Sequence, residues 1–157
     1  MSRSPRHLPL TVRARACDPG TPPPAASPPV KSKTSIPVVD IFAGAGGLGE
    51  GFEAYGDGSR FHVALSAEMD RHAVRTLHTR AFFRSFPKDE APRSYYQYLR
   101  GEREAPWTKD TQTIWEEAGK RARQVELGNV EDDKLLDDYI AEIAADARKR
   151  DLPWVLV

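Results

Sequence analysis

The stretch Val38-Val39-Asp40-Ile41-Phe42-Ala43-Gly44-Ala45-Gly46-Gly47-Leu48-Gly49-Glu50-Gly51-Phe52 decides how this chain folds. Residues 36–42 are mostly apolar, and five glycines follow within eight residues. Because glycine lacks a Cβ, such a loop adopts positive φ angles and lets a ligand approach bare backbone. A helix that begins after the loop has unpaired N–H groups in its first turn. The stretch therefore predicts a strand, a glycine-rich turn and a helix that together bind a ligand.

The side chains beside the glycines favour one class of ligand. Gly44, Gly46 and Gly49 have the spacing of the dinucleotide fingerprint of Rossmann-like sheets. Asp40 and Phe42 are two residues apart, so they are expected on one face of the strand. A carboxylate there would repel a pyrophosphate and suit a sulfonium group, while Phe42 offers an apolar face to an adenine. The pattern favours S-adenosylmethionine, with an NAD-dependent enzyme as an alternative.

These residues resemble the first motif of the DNA (cytosine-5)-methyltransferases. The matching positions are Asp40, Phe42, Gly44, Gly46, Gly47, Gly51 and Phe52. The resemblance implies an α/β fold, the Rossmann-like fold of S-adenosylmethionine-dependent methyltransferases, with the first half of the parallel sheet only. It also implies that the cofactor-binding residues include Asp40, Phe42, Gly44, Ala45, Gly46 and Gly47.

The second motif of the same family follows at the expected distance. Residues 61–67 are predicted to form a second strand, which leads into Glu68, Met69 and a helix. In the resembled family the acid at the end of this strand binds the ribose hydroxyls, and an ionised carboxylate can accept both hydrogen bonds of a diol. The next residue flanks the adenine, a role that the soft thioether of Met69 suits.

A third match is Leu127-Gly128-Asn129-Val130. The family has Gly-Asp and an aliphatic residue here, and the acid accepts a hydrogen bond from the adenine amino group. The resemblance thus implies cofactor contacts for Asn129 and Val130, because an amide oxygen can accept the same bond. Asn129 also has the residue type and position of a helix N-cap, and the two roles can coexist.

Each of these candidate residues also has a purely structural interpretation. Asp40 could be an acid that favours a helix dipole, and Phe42 and Met69 could be ordinary packing residues. Glu68 could be a solvated acid at the end of a strand.

The family's catalytic residues have no counterpart in the sequence. In the resembled family the strand equivalent to 153–157 precedes a Gly-Pro-Pro-Cys segment, whose thiolate attacks C6 of the target cytosine. The single cysteine, Cys17, precedes the first motif and is not at that position. We therefore expect the cofactor-binding N-terminal part of a DNA cytosine-5 methyltransferase, with no catalytic residue in this chain. The alternative is a non-catalytic product, either truncated or one subunit of a split enzyme that needs a complementary C-terminal half.

Composition restricts the compartment and the partners. The chain has 23 basic and 23 acidic residues, so no global positive field argues for nucleic acid. Double-stranded DNA is therefore expected as a partner through the full enzyme. One cysteine argues against a disulfide framework, and no apolar run is long enough to span a membrane. We expect a bacterial cytoplasmic protein associated with the nucleoid, with neither membrane nor metal as a partner.

The chain divides into a leader and one domain. Residues 1–35 contain eight of the thirteen prolines, six basic residues and one acid, which predicts a disordered leader or a loose DNA-binding arm. Residues 36–157 alternate strands and helices, which predicts a parallel sheet. Strands are expected at 36–42, 61–67, 123–128 and 153–157, and helices at 47–56, 70–82 and 131–150. His72 and His78, in the second of these helices, are expected to be solvated.

The segment 84–125 is predicted to be an insertion. It contains Tyr95, Tyr96, Tyr98, Trp107 and Trp115 among several arginines, and acids cancel most of the positive charge. Aromatic and cationic side chains together suit contacts with bases and phosphates. Two interpretations therefore stay open: a local helical cover, or a surface that contacts DNA or the cofactor.

Overall fold

A computed structural model describes residues 34–87 and 89–157. The predicted leader, apart from its last two residues, lies outside the described residues. The strands are β1 (Ile36–Ile41), β2 (Phe61–Glu68), β3 (Ala122–Gln124) and β4 (Val155–Leu156). The helices are α1 (Gly47–Ala54), α2 (Arg71–Phe83), α3 (Arg93–Leu99), α4 (Gln112–Gly119) and α5 (Val130–Lys149), with a short 3-10 helix at Lys109–Thr111.

The four strands form one sheet in the order β3-β2-β1-β4, and every pair is parallel. This confirms the predicted α/β class with a parallel sheet. In the sheet, β2 and then β3 lie on one side of β1, whereas β4 pairs with β1 on its other side. The order therefore reverses beside β1, and in open α/β sheets such a switch point leaves a crevice at the carboxyl ends of the strands.

Helices cover the two faces of the sheet differently. On one face, α5 packs Leu136 against Val39 and Leu65, with Tyr139 and Ile143 beside them. The apolar side chains of this helix therefore contact the sheet. On the other face, α1 contacts β1 and β2, and α2 contacts β2 and β3.

A register irregularity in β2 changes which face its residues occupy. Val38 pairs with Val63, but Val39 pairs with Leu65, so Ala64 is the extra residue. A bulge of this kind interrupts the strict alternation of side chains. As a result, Val63 contacts α1 near Gly49 while Leu65 packs in the α5 cluster. The alternation read from the sequence does not reveal this change.

The segment predicted as an insertion forms α3, the 3-10 helix and α4, which pack on α2. Phe82 lies at the centre of this cluster, with ring centroids 5.0 Å from Phe86 and 5.5 Å from Trp115. Tyr95 and Ala118 complete the buried part. The aromatic residues of the segment therefore serve first as a helical cover over α2.

One histidine prediction is wrong. His78 is half-buried, stacks on Trp115 with a centroid separation of 3.5 Å, and lies 2.7 Å through Nε2 from the Trp115 carbonyl. It is therefore a packing residue of the insertion, whereas His72 is exposed as predicted. The third strand is also shorter than the predicted 123–128, because Val125 onwards turns away toward α5.

Buried polar contacts join the insertion to the sheet. Arg121, just before β3, donates to the Ala81 carbonyl at 3.0 Å and to Ser85 Oγ at 2.7 Å. Ser85 Oγ also donates to the Ala81 carbonyl at 2.9 Å, so Arg121 completes a small network at the carboxyl end of α2. Burial lowers the pKa of Arg121, and a nearby acid, Glu53, opposes that effect.

Candidate functional site

The candidate site lies at the carboxyl ends of β1 and β2. Phe42 follows β1 directly, with φ at 58° and a side chain that is 74% exposed. A bulky residue with positive φ stores strain, and an exposed aromatic ring gains nothing from burial. Both features are typical of a residue kept for contact with a ligand.

The glycine loop requires glycine at the position that ends it. Gly46 has φ at 85°, and a Cβ there would lie 2.7 Å from Leu77 Cδ2 in α2. A side chain is therefore excluded by both backbone conformation and packing. Gly44 and Gly47 differ, since a Cβ at either would meet no atom within 4 Å. The bare backbone at these two positions faces open space, as ligand binding requires.

Glu68 connects the loop to the second strand and to the helix that follows it. Its Oε2 accepts a hydrogen bond of 2.8 Å from Gly44 N–H. Its Oε1 accepts bonds from Met69 N–H at 2.8 Å and Asp70 N–H at 3.0 Å. The N–H groups, that of Asp70 foremost, hold the pKa of Glu68 below its usual value. The low pKa favours the ionised carboxylate, and among residues 34–87 and 89–157 only Gly44 N–H bonds Oε2, which leaves that oxygen a second acceptor position.

Asp40 does not share a face with Phe42, contrary to the prediction from strand alternation. Its carboxylate is 3% exposed, next to α1 at Gly49, rather than at the open side of the loop. Burial raises its pKa, and the Gly49 N–H partly offsets that shift. Oδ2 makes no hydrogen bond within the described residues. The strand ends at Ile41, and Phe42 has a positive φ angle. The alternation of side chains between the two faces therefore does not extend to Phe42.

Met69 lies beside Glu68 and is 65% exposed, and its contact with an adenine stays a prediction. Gln124 Nε2 donates a hydrogen bond of 3.1 Å to the Met69 carbonyl, and Glu68 pairs with Gln124 in the sheet. This glutamine was missed by sequence reasoning. Only its position at the end of a strand could have indicated it.

Asn129 caps α5. Its Oδ1 accepts hydrogen bonds from Glu131 N–H at 3.0 Å and Asp132 N–H at 3.3 Å. These two bonds occupy both acceptor positions of the amide oxygen, so in this arrangement the oxygen is not available to an adenine amino group. Val130 is 83% exposed and begins the helix.

The loop that carries Asn129 is held beside the rest of the site. Val125 N–H bonds the Glu68 carbonyl at 3.0 Å, which brings the start of the loop to the end of β2. Gly128 N–H donates to Asp133 Oδ1 at 3.0 Å. The structure thus brings Phe42, the glycine loop, Glu68 and Met69 together, with the Asn129 loop next to them.

The chain is similar to one known methyltransferase over part of its length. It is 36% identical over 63 residues to the Type II methyltransferase M.Bpa9945I of Bacillus paralicheniformis. That segment is 40% of this chain and 13% of the relative, so the chain spans only a small part of the relative's length. No protein-family model and no solved structure matches the chain. The similarity supports a methyltransferase, and the parallel sheet is compatible with a Rossmann-like methyltransferase fold.

Two further observations concern the described part of the chain. None of its helices combines the length and apolar character needed to cross a membrane. Within residues 34–87 and 89–157, no three side chains of histidine, cysteine, aspartate or glutamate cluster in a way that could hold a metal ion.

Proposed function

We propose that this chain is the S-adenosylmethionine-binding part of a DNA cytosine-5 methyltransferase. The observation that carries the proposal is the Glu68 carboxylate, which lies 2.8 Å from the Gly44 N–H of the glycine loop. Exposed Phe42 and Met69 flank this carboxylate on the loops after β1 and β2. An ionised acceptor between two apolar surfaces, next to bare backbone, matches the ribose, the adenine and the methionine part of such a cofactor.

Each part of the cofactor has a fitting group. Glu68 accepts a ribose hydroxyl at the free position of Oε2, and a second one if the bond to Gly44 is released. Phe42 and Met69 contact the two faces of the adenine, where ring and thioether contacts are both favourable. The backbone at Gly44, Ala45, Gly46 and Gly47 lies along the methionine moiety.

Two residues take different roles from those that the resemblance implies. Asp40 supports the glycine loop and α1 and does not contact the cofactor directly, because its side chain is buried and does not reach the open side of the loop. Asn129 uses its oxygen for the helix cap, so its Nδ2 is the group left to donate to an adenine ring nitrogen. Val130 then supplies apolar contact at the rim.

Bound S-adenosylmethionine supplies a methyl group on a positively charged sulfur. Attack by C5 of cytosine needs a thiolate that first adds to C6 of the base, which must be taken out of the duplex. The described residues include no cysteine, and Cys17 precedes the first motif. In this proposal the chain positions the donor, and a complementary C-terminal part brings the thiolate and the surface that reads DNA.

Calorimetric titration with S-adenosylhomocysteine tests the cofactor assignment. We expect binding to the unmodified protein and a loss of at least tenfold in affinity for Glu68→Ala, because the hydroxyl acceptor is removed. Glu142→Ala, which removes an exposed acid of α5, is the matched control and should bind as the parent does. Binding of NAD in place of S-adenosylhomocysteine would instead support the dinucleotide alternative.

The base that is methylated tests the second half of the proposal. Mass spectrometry of nucleosides from cells that express the intact native protein should show 5-methylcytosine that disappears when its gene is deleted. Appearance of N4-methylcytosine or N6-methyladenine instead would keep a methyltransferase but remove the cytosine-5 assignment.

A further inference from the structure

Helices α2 and α5, which lie on opposite faces of the sheet, carry opposite net charge. Helix α2 contains three arginines, two histidines and no acid. Helix α5, on the opposite face, contains three basic residues and seven acids: Glu131, Asp132, Asp133, Asp137, Asp138, Glu142 and Asp146. The positive charge is a property of α2 itself, since the neighbouring helices α1 and α4 each contain two glutamates and no basic residue.

An open groove of about 650 Å³ lies between α2 and α3. Its walls include Arg75 and Thr76 from α2 and Tyr98 and Leu99 from α3. Arg75 Nε donates to the Tyr98 hydroxyl at 3.1 Å, and its guanidinium lies 5.7 Å from the centre of the Tyr98 ring. The insertion thus forms the second wall of the groove and fixes the direction of one arginine within it.

The arginines in and beside this groove differ in whether an acid pairs with them. Arg80 and Arg84 both pair with Glu50, and Arg84 also lies 4.0 Å from Glu53, so two acids offset the charge of these two arginines. Arg71 and Arg75 are exposed and one helical turn apart, and no acid within the described residues forms an ion pair with either. Two unpaired guanidinium groups on one face, with donors left over, suit consecutive phosphates of a backbone.

The position of this face relates it to the candidate site. Helix α2 begins directly after Met69 and Asp70, so Arg71 lies at the same edge of the sheet as Glu68. A DNA strand whose phosphates contact Arg71 and Arg75 would therefore pass beside the proposed cofactor site. The exposed parts of Phe83 and Leu99 offer apolar surface to sugars below the phosphates.

We propose that the α2–α3 face, defined by Arg71, Arg75 and Tyr98, binds the phosphate backbone of double-stranded DNA. The proposal rests on the proposed function and names a contact surface for its substrate on the insertion side. The acidic α5 side faces away from the DNA, because its charge would repel phosphates. In this orientation the α5 surface does not contact nucleic acid.

Fluorescence anisotropy with a labelled DNA duplex tests this face in the intact native protein. The variant Arg71→Gln/Arg75→Gln should reduce the slope of log affinity against log salt by about 2, since each phosphate contact contributes about 0.9. Affinity near 0.1 M salt should fall by roughly tenfold or more. The matched control, Lys134→Gln/Arg148→Gln, removes two cations from α5 and should leave both values unchanged.

Additional readouts separate this proposal from the cofactor assignment. Arg75→Lys keeps the charge and should keep the salt slope. S-adenosylhomocysteine binding by the arginine double variant should equal that of the parent, so loss of DNA affinity there cannot come from a lost cofactor site. If the double variant binds DNA with the parental slope, the proposal is overturned, whether or not the protein binds S-adenosylhomocysteine.

Discussion

Glu68 Oε2 and the backbone N–H of Gly44 are 2.8 Å apart, and this single bond joins two loops separated by 24 residues. The other carboxylate oxygen accepts from Met69 and Asp70, at the start of α2. One ionised side chain therefore sets the position of the glycine loop relative to the helix after β2. The residue assigned to the ribose is also the residue that holds the glycine loop in place.

The Glu68–Gly44 bond should depend on pH. Because the folded pKa of Glu68 is lowered, the bond contributes stability that is fully present above the unfolded pKa of about 4.5 and is lost as pH falls through the folded value. We expect the amide resonance of Gly44 to titrate in NMR spectra with a midpoint below 4.5.

The variant Glu68→Gln should abolish the titration of the Gly44 resonance, whereas Glu142→Gln should preserve it. A midpoint at or above the ordinary glutamate value would show that the carboxylate does not accept these bonds in solution.

Replacement of Phe42 by glycine should separate stability from binding. Glycine removes the cost of positive φ at this position but adds chain entropy to the unfolded state, so the free energy of unfolding should change by less than about 1 kcal/mol. Loss of the ring should lower S-adenosylhomocysteine affinity about tenfold. Thermal melts and calorimetry measure the two effects.

Asp57→Gly is the matched control for Phe42→Gly, because Asp57 also has positive φ, at 56°, in the turn after α1. It should leave the affinity at the parental value. A Phe42→Gly variant that binds normally would remove Phe42 from the adenine site.

Alanine at Gly46 and at Gly47 should give opposite results. Gly46→Ala places a Cβ 2.7 Å from Leu77 Cδ2 at positive φ, so it should destabilise the protein by about 1–3 kcal/mol. Gly47→Ala meets no atom and lies in the first turn of α1, so stability should be kept or should rise by up to about 1 kcal/mol. Its methyl group should still lower cofactor affinity, because it occupies the surface assigned to the methionine moiety.

Gly51→Ala provides the comparison for Gly47→Ala. Gly51 is exposed within α1, and a Cβ there also meets no atom within 4 Å. Denaturant unfolding should show a similar gain in stability, and calorimetry should show unchanged affinity. Equal affinity for Gly47→Ala and the parent protein would contradict the placement of the cofactor along this loop.

The order of the four strands and of helices α1, α2 and α5 could be predicted because periodicity and the glycine loop are local signals. The sequence also places Glu68 and Met69 at the end of a strand, where the structure has them. These predictions need no knowledge of how distant elements pack. The cofactor itself, and the contacts assigned to it, stay predictions.

The remaining features depend on contacts that alternation and motif spacing do not contain. The bulge at Ala64 moves Leu65 to the α5 side, and the positive φ of Phe42 separates its direction from that of Asp40. Gln124 reaches Met69 across 55 residues. In each case the deciding interaction is a backbone irregularity or a long-range hydrogen bond.

His78 should make stability depend on pH near neutrality. Burial against Trp115 lowers its pKa from the ordinary 6.5, the bond to the Trp115 carbonyl opposes the shift, and Arg121 adds to it. The lowered pKa means that the contribution is fully present above pH 6.5 and is lost as pH falls through the folded value, because the unfolded chain then binds the extra proton. Melting temperature should therefore decrease below about pH 6.5.

Two variants test this dependence. His78→Phe keeps the stacking but removes the titration, so its melting temperature should vary less over this pH range. His72→Gln, at an exposed position on the same helix, should behave as the parent does. An identical pH profile for His78→Phe and the parent would show that the buried ring does not govern this dependence.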